Sequence, residues 1–156
     1  MKYLVTGGAG FVGSNLVHRL LAEGHDVRVL DNLDTGRIEN LEGALQRIEL
    51  VEKDMADPGV ARGAVEGVDG VFHQAGAPAV PRSLADPIGT NRANVLGTLE
   101  MLEACREAGG IRLVYAASSS AYGNIKVDMK QEDLRPDPCS PYAVQKLVGE
   151  LYCKVY

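Results

Sequence analysis

Long basic runs are missing from these 156 residues, whose formal net charge is −5. A chain so patterned lacks the electrostatic footprint of a nucleic-acid or anionic-membrane binder. Any phosphate it holds must be held locally, by backbone amides or single cations. Also missing is any stretch near the ~18 consecutive apolar residues of a membrane span. Lys2-Tyr3-Leu4-Val5 reads as a strand, without the charged segment and apolar stretch of a secretory leader. Cysteine is scarce: Cys105, Cys139 and Cys153 are widely spaced and form neither a metal-ligand pattern nor an even-numbered disulfide set. They are expected to be reduced thiols, in keeping with a cytoplasmic protein. Internal repeats and low-complexity tracts are absent. The length suits a single domain, residues 1–156, with a real core.

What is present is an alternation of short apolar strands and helical spacing. Strands are expected at 3–5, 27–30, 47–52, 70–73 and 111–117. The first ends in a glycine-rich turn, and a helix over 11–22, with Val12, Leu16 and Leu20 on one face, is closed by Gly24. Residues 32–47 read as loop plus a short helix, 57–67 as helix and 87–108 as a long helix. A loop with Pro136, Pro138 and Pro141 leads into a last helix starting near Ser140. Such alternation predicts an α/β, three-layer, doubly wound parallel sheet, a Rossmann fold. Ligands of such folds bind at the carboxyl ends of the strands.

The unusual residues cluster at those ends. Thr6-Gly7-Gly8-Ala9-Gly10-Phe11-Val12-Gly13 follows a strand and opens a helix. Gly7 permits the tight turn, Gly10 lets backbone approach a pyrophosphate, and Gly13 lets the helix pack closely on the sheet. The helix N-terminus offers free N–H groups and positive potential. Asp31 ends the second strand, 18 residues after Gly13. A carboxylate there can accept both ribose hydroxyls of an adenosine and repel a 2′-phosphate, which argues for NAD over NADP. Asn32-Leu33-Asp34-Thr35-Gly36 follows it, and Arg37 is the nearest cation. Asp54-Met55 could place a carboxylate on the adenine amino group. Gln74-Ala75-Gly76 offers small residues where the middle of a dinucleotide would pass. His73 reads as a satisfied strand-end histidine, since nothing pairs it with a nucleophile. Tyr142 and Lys146 are four apart, on one helical face. An ammonium near a phenol favours the phenolate, so such a tyrosine can exchange a proton with a substrate hydroxyl while hydride moves to or from nicotinamide. The serines Ser118-Ser119-Ser120, at the end of the fifth strand, would orient that oxygen.

Together these residues resemble the extended short-chain dehydrogenase/reductase family, and within it the NAD-dependent epimerases and dehydratases, UDP-hexose 4-epimerases above all. His73-Gln74-Ala75, Val80-Pro81-Arg82-Ser83, Ala116-Ala117-Ser118-Ser119-Ser120 and Ser140-Pro141-Tyr142-Ala143-Val144 look most like the bacterial branch acting on UDP-N-acetylhexosamines. The resemblance implies that Ser118, four residues before the Tyr122-Gly123 pair, is the catalytic serine. It implies that Tyr142 is the base, and Lys146 its partner and the holder of the nicotinamide ribose. Gly7, Gly10, Phe11, Val12, Gly13, Asp31, Asn32, Gly36, Asp54, Met55, Gln74, Ala75, Gly76, Asn94, Tyr142 and Lys146 match cofactor positions. Val80, Arg82, Ser118, Ser119 and Tyr142 match sugar-nucleotide positions. The implied reaction is C4 epimerisation of a UDP-sugar through a 4-keto intermediate, with NAD regenerated each cycle. A homodimer through the two long helices is a further expectation, and no metal is implied.

Two departures qualify the likeness. Related 4,6-dehydratases carry Asp-Glu right after the catalytic hydroxyl, where this chain has Ser119-Ser120, which argues against dehydration. The family's chains are also longer, so the sequence reads as truncated before the substrate-binding domain, with Val144, Leu147, Val148 and Leu151 left short of apolar partners and activity impaired. Another sugar-nucleotide dehydratase, decarboxylase or reductase, and a non-catalytic dinucleotide-binding module, are the competing readings.

Overall fold

The computed structural model describes residues 1–125, 127 and 129–156. Five strands run β1 (Lys2–Thr6), β2 (Asp26–Asp31), β3 (Ile48–Glu52), β4 (Gly70–His73) and β5 (Arg112–Tyr115). All pair in parallel in the order β3-β2-β1-β4-β5. The chain builds outward from β1 to β3, then crosses back to add β4 on the other side of β1. That reversal opens a crevice at the carboxyl ends of β1 and β4, the usual ligand position of a doubly wound sheet.

Strand alternation sends neighbouring residues to opposite faces. Leu4 and Leu30 join Val65, Val71, Met101 and Cys105 under α2 (Val60–Val65) and, further along the chain, α5 (Gly97–Glu107). Val5, Val27 and Val29 join Val17, Leu20, Leu21 and Leu41 under α1 (Phe11–Ala22). Gly24, at φ +82°, ends α1 as its position in sequence suggests. Arg28 breaks the apolar pattern of β2 but earns its burial. Its guanidinium donates to the carbonyls of Ala64 at 2.7 Å and Glu66 at 2.8 Å, closing the carboxyl end of α2, and pairs with Glu49 at 2.9 Å.

Four elements depart from expectation. α2 spans only Val60–Val65 of the expected 57–67, because Gly59 before it sits at φ +78°, outside the helical region. β5 is shorter than residues 111–117, because its partner β4 ends at His73 and the register His73↔Tyr115 closes the ladder. A short helix α3 (Val80–Ala85) follows Ala79, whose φ is +80°. Six residues with Pro81 among them carry too little periodicity to be read in advance. The long helix from Pro87 is continuous but not uniform: α4 (Pro87–Asn91) passes through a π-helical turn (Arg92–Leu96) into α5. The carbonyl of Asn94 in that turn accepts from the Thr98 hydroxyl at 2.7 Å. The last helix, α6 (Pro141–Val155), starts after Ser140, whose hydroxyl caps it by accepting from the Ala143 amide at 3.1 Å. α6 lies against α3, α4, α5 and β5. Val144 and Leu151 on α6 are exposed and Leu147 and Val148 half-buried, while Val114 on β5 is 47% exposed.

His73 is fully buried, and a single proton arrangement satisfies it. The Thr98 hydroxyl gives its hydrogen to Asn94, so His73 Nε2–H must donate to Thr98 at 3.0 Å. Its Nδ1 then accepts from the Thr6 hydroxyl at 2.7 Å, and Thr6 accepts from the Ala75 amide at 3.1 Å. Burial, then the nearby Lys146 charge, push this imidazole down to about 3. Unfolded, it titrates near 6.5, so between those values the unfolded chain binds the extra proton. Stability is therefore full above pH 6.5 and falls as pH drops toward 3, by up to about 1.4 kcal/mol per pH unit from this group. Urea midpoints measured from pH 7.5 downward should show that slope, and His73→Gln should flatten it while lowering stability throughout.

Candidate active site

A cleft of about 620 Å³ opens at the switch point between β1 and β4. Its floor is the glycine turn. Gly7 sits at φ +66°, and a Cβ there would come within 2.7 Å of the Ala75 backbone. A Cβ on Gly13 would run into the Gly7 carbonyl, so α1 can pack this closely only through glycine. Gly10 provides no side-chain cap for α1, and no acidic residue lies in the first turn. The first amide with an intrahelical acceptor is Ser14, on the Gly10 carbonyl at 2.9 Å. The N–H groups of Phe11, Val12 and Gly13 precede it at the positive end of the helix. Phe11 stands 83% exposed at the lip.

Asp31, at the end of β2, is buried and accepts two backbone amides, Ala9 on Oδ2 at 2.9 Å and Leu33 on Oδ1 at 2.9 Å. A carboxylate has about four acceptor positions, so two remain for ligand hydroxyls. Gly36 is pressed against it, since a Cβ there would lie 2.8 Å from Oδ1. The Arg37 amide and the Asn40 side chain both donate to the Ala9 carbonyl, at 3.0 and 2.8 Å, clipping this loop to the glycine turn. Asn32, Asp54, Met55, Gln74, Ala75 and Gly76 complete the wall. Asp54 is held in place by accepting the Ala56 amide at 2.8 Å.

The structure therefore brings almost every expected cofactor residue to one cleft. Asn94 stands behind the wall rather than on it. Its amide accepts from Ala77 N at 2.7 Å, donates back to Ala77 O at 3.1 Å and donates to Gln145 Oε1 at 2.8 Å. Arg82 lines the cleft and pairs with Asp34 across its mouth at 2.5 Å, whereas Val80, also on α3, faces elsewhere. Asp34 and Lys53 also line the cleft, although no sequence signal marked them. Their pertinence comes from loops that fold back beside Asp31.

Ser118, Ser119, Tyr142 and Lys146 do not line this cleft. Tyr142 and Lys146 lie on α6, which packs against α3, β5 and the 3-10 turn Ser119–Tyr122. Ser118 caps that turn, its hydroxyl bonded to the Ser120 hydroxyl and accepting from the Ser120 amide at 3.2 Å. Ser119 is exposed. The Tyr142 amide donates to the Ser83 hydroxyl at 3.0 Å, fixing the start of α6 to α3. Lys146 is buried, with its ammonium 4.4 Å from the centre of the Tyr115 ring. Burial draws that ammonium down to about 8, against a smaller upward pull from Cys153.

A parallel doubly wound sheet, a glycine turn with free helix amides and an acidic residue ending β2 define a dinucleotide-binding protein of the Rossmann class. The comparisons carry this to a family. The NAD dependent epimerase/dehydratase family matches residues 3–156, and the chain belongs to it. The UDP-glucose 4-epimerase of Mycolicibacterium smegmatis is 42% identical over the whole chain and 51% of its own length. The crystal structure of the Thermus thermophilus UDP-glucose 4-epimerase in complex with NAD is 40% identical, at TM-score 0.91 over 100% of this chain and 50% of that one. A dTDP-glucose 4,6-dehydratase from Streptomyces venezuelae with NAD and TYD bound aligns at TM-score 0.94 and 35% identity, over 100% of this chain and 51% of its own. The chain thus spans about half the length of these relatives. The cofactor of the family is NAD, and the glycine cradle, the three free amides and the Asp31 carboxylate fit it.

Asp31 holds two backbone amides of the fold and keeps acceptor positions that fit the cofactor. Asp31→Asn turns one of its oxygens into a donor facing an amide, so chemical denaturation should show a loss of roughly 1–3 kcal/mol. Calorimetric titration with NAD should show markedly weaker binding. Unchanged NAD affinity would remove Asp31 from the cofactor site.

Proposed function

We propose that the chain carries the cofactor and proton-transfer machinery of an NAD-dependent 4-epimerase acting on a UDP-hexose or UDP-N-acetylhexosamine. What supports this reading is that Tyr142 and Lys146 share α6, which packs against α3, whose Arg82 lines the cleft, and against the turn that Ser118 caps. Phe11, Val12 and Gly13 amides would hold the pyrophosphate, Asp31 the adenosine ribose, and Lys146 the nicotinamide ribose. Bound there, NAD supplies a hydride acceptor and donor. Tyr142 takes the proton of the sugar 4-hydroxyl, oriented by Ser118, and returns it to the 4-keto sugar after the ring has turned over. Lys146, four residues further along α6, is assigned as its partner. Val80, Arg82 and Ser119 are assigned to the sugar nucleotide.

The fold does not separate epimerase from dehydratase, as the likeness to the Streptomyces dehydratase makes plain. What favours epimerisation is the Ser119-Ser120 pair. The Ser120 hydroxyl is bonded to that of Ser118, in a place where dehydration needs a second acid and base. The free thiols Cys105, Cys139 and Cys153 accord with a cytoplasmic location. Exposed Ile88 on α4 and Val144 and Leu151 on α6 accord with a homodimer through the long helices.

Incubation with NAD and either UDP-glucose or UDP-N-acetylglucosamine, with products read by NMR, tests the reaction class. The C4 epimer is expected, formed far more slowly than by relatives of twice the length. A 4-keto-6-deoxy sugar would overturn the assignment. NAD binding with no spectral change on adding UDP-sugar would favour a non-catalytic module. Tyr142→Phe should cut turnover by about 10²–10⁴-fold while leaving NAD affinity nearly intact, as for loss of a general base. Lys146 loses its charge as pH rises through about 8, so NAD affinity should fall above that value. In Lys146→Arg, whose guanidinium stays charged, the fall should vanish.

A further inference from the structure

Lys146 poses a physical problem that the reaction does not answer. Its ammonium is buried, and among the described residues no carboxylate pairs with it. A buried charge without a counter-charge must be held by other means or it leaves the site. The means present is Tyr115, the last residue of β5. Its ring lies 4.4 Å from the Lys146 ammonium, a cation–π distance. Its hydroxyl donates to the backbone carbonyl of Lys146 at 3.3 Å. One turn along α6, Gly149 leaves the notch this hydroxyl occupies, because a Cβ there would collide with it. The ring is backed by the immobile His73 imidazole, with centroids 5.7 Å apart and planes inclined at 28°. Burial raises the Tyr115 phenol, which keeps it a donor.

We infer that Tyr115 is a positioning residue for Lys146: its ring face seats the ammonium, and Gly149 leaves the notch that lets the ring sit there. Tyr115 does not line the cleft and acts through the lysine alone. The functional weight of this inference rests on the reading of Lys146 as the holder of the nicotinamide ribose. The contact itself does not.

The test uses the 156-residue chain with ¹³C-labelled lysine, the Lys146 signal being assigned with Lys146→Met. In the native chain the ε-methylene protons of Lys146 should be shifted upfield by the ring current of Tyr115. Tyr115→Phe keeps the ring and should keep that shift, with NAD affinity within about twofold of native. Tyr115→Leu should abolish the shift and weaken NAD binding roughly tenfold. Gly149→Ala, an exchange that favours helix, should also displace the ring and move the Lys146 signal, so the result does not hang on the folding of the leucine variant. Lys146 signals unmoved in Tyr115→Leu or in Gly149→Ala would overturn the inference. So would native NAD affinity in Tyr115→Leu alongside weakened affinity in Lys146→Met. Should Lys146→Met itself bind NAD as the native chain does, the ribose role of Lys146 falls, and the ring-current shift still decides the role of Tyr115.

Discussion

A line of buried hydrogen bonds holds the cofactor end of this molecule together. It runs from the Ala75 amide to the Thr6 hydroxyl, through both nitrogens of His73, to the Thr98 hydroxyl and the Asn94 carbonyl. Its members come from the end of β1, the end of β4 and the helix that follows. A parallel sheet exposes unpaired backbone where its strands end, and these side chains satisfy those groups without water. Because each hydroxyl has one hydrogen to give, the chain has one polarity, and a second proton on His73 breaks it.

From Asn94 the order passes to the reacting side. It lies in the π-helical turn, and its side chain braces Ala77 on the cleft wall and Gln145 on α6. Gln145 in turn donates to Thr90 and to the carbonyl of Pro87. The residue between Val144 and Lys146 is thus locked to the same framework that shapes the NAD cleft. A π turn at such a place costs regular helix bonding and is kept where it aims a side chain. Here it aims an amide that ties cleft to helix. Tyr115 completes the coupling from the sheet side, standing between His73 and Lys146.

The elements that form the cleft were legible because each rests on local chemistry. The glycine turn needs residues without Cβ at Gly7 and Gly13, Asp31 ends a strand, and the first helix runs from Phe11 to Ala22 as its spacing demands. His73 read correctly as a satisfied histidine. The roles that were not legible depend on partners distant in the chain. Asn94 matched a cofactor position by resemblance, yet its amide is wholly engaged with Ala77 and Gln145. Arg82 meets Asp34, 48 residues away, across the cleft mouth. Helix α3 is too short, and begins too close to a proline, to carry a periodic signal.

Pattern and local stereochemistry alone determined the α/β class, the strand at the glycine turn and the shared face of Tyr142 and Lys146. Each follows from spacing within a few residues, where covalent geometry leaves little choice. Strand order, the polarity of the His73 hydrogen bonds and the seat of Lys146 on Tyr115 were decided by the tertiary structure. They require groups dozens of residues apart to meet in a dry interior, where an unsatisfied donor or an unheld charge is too costly to leave.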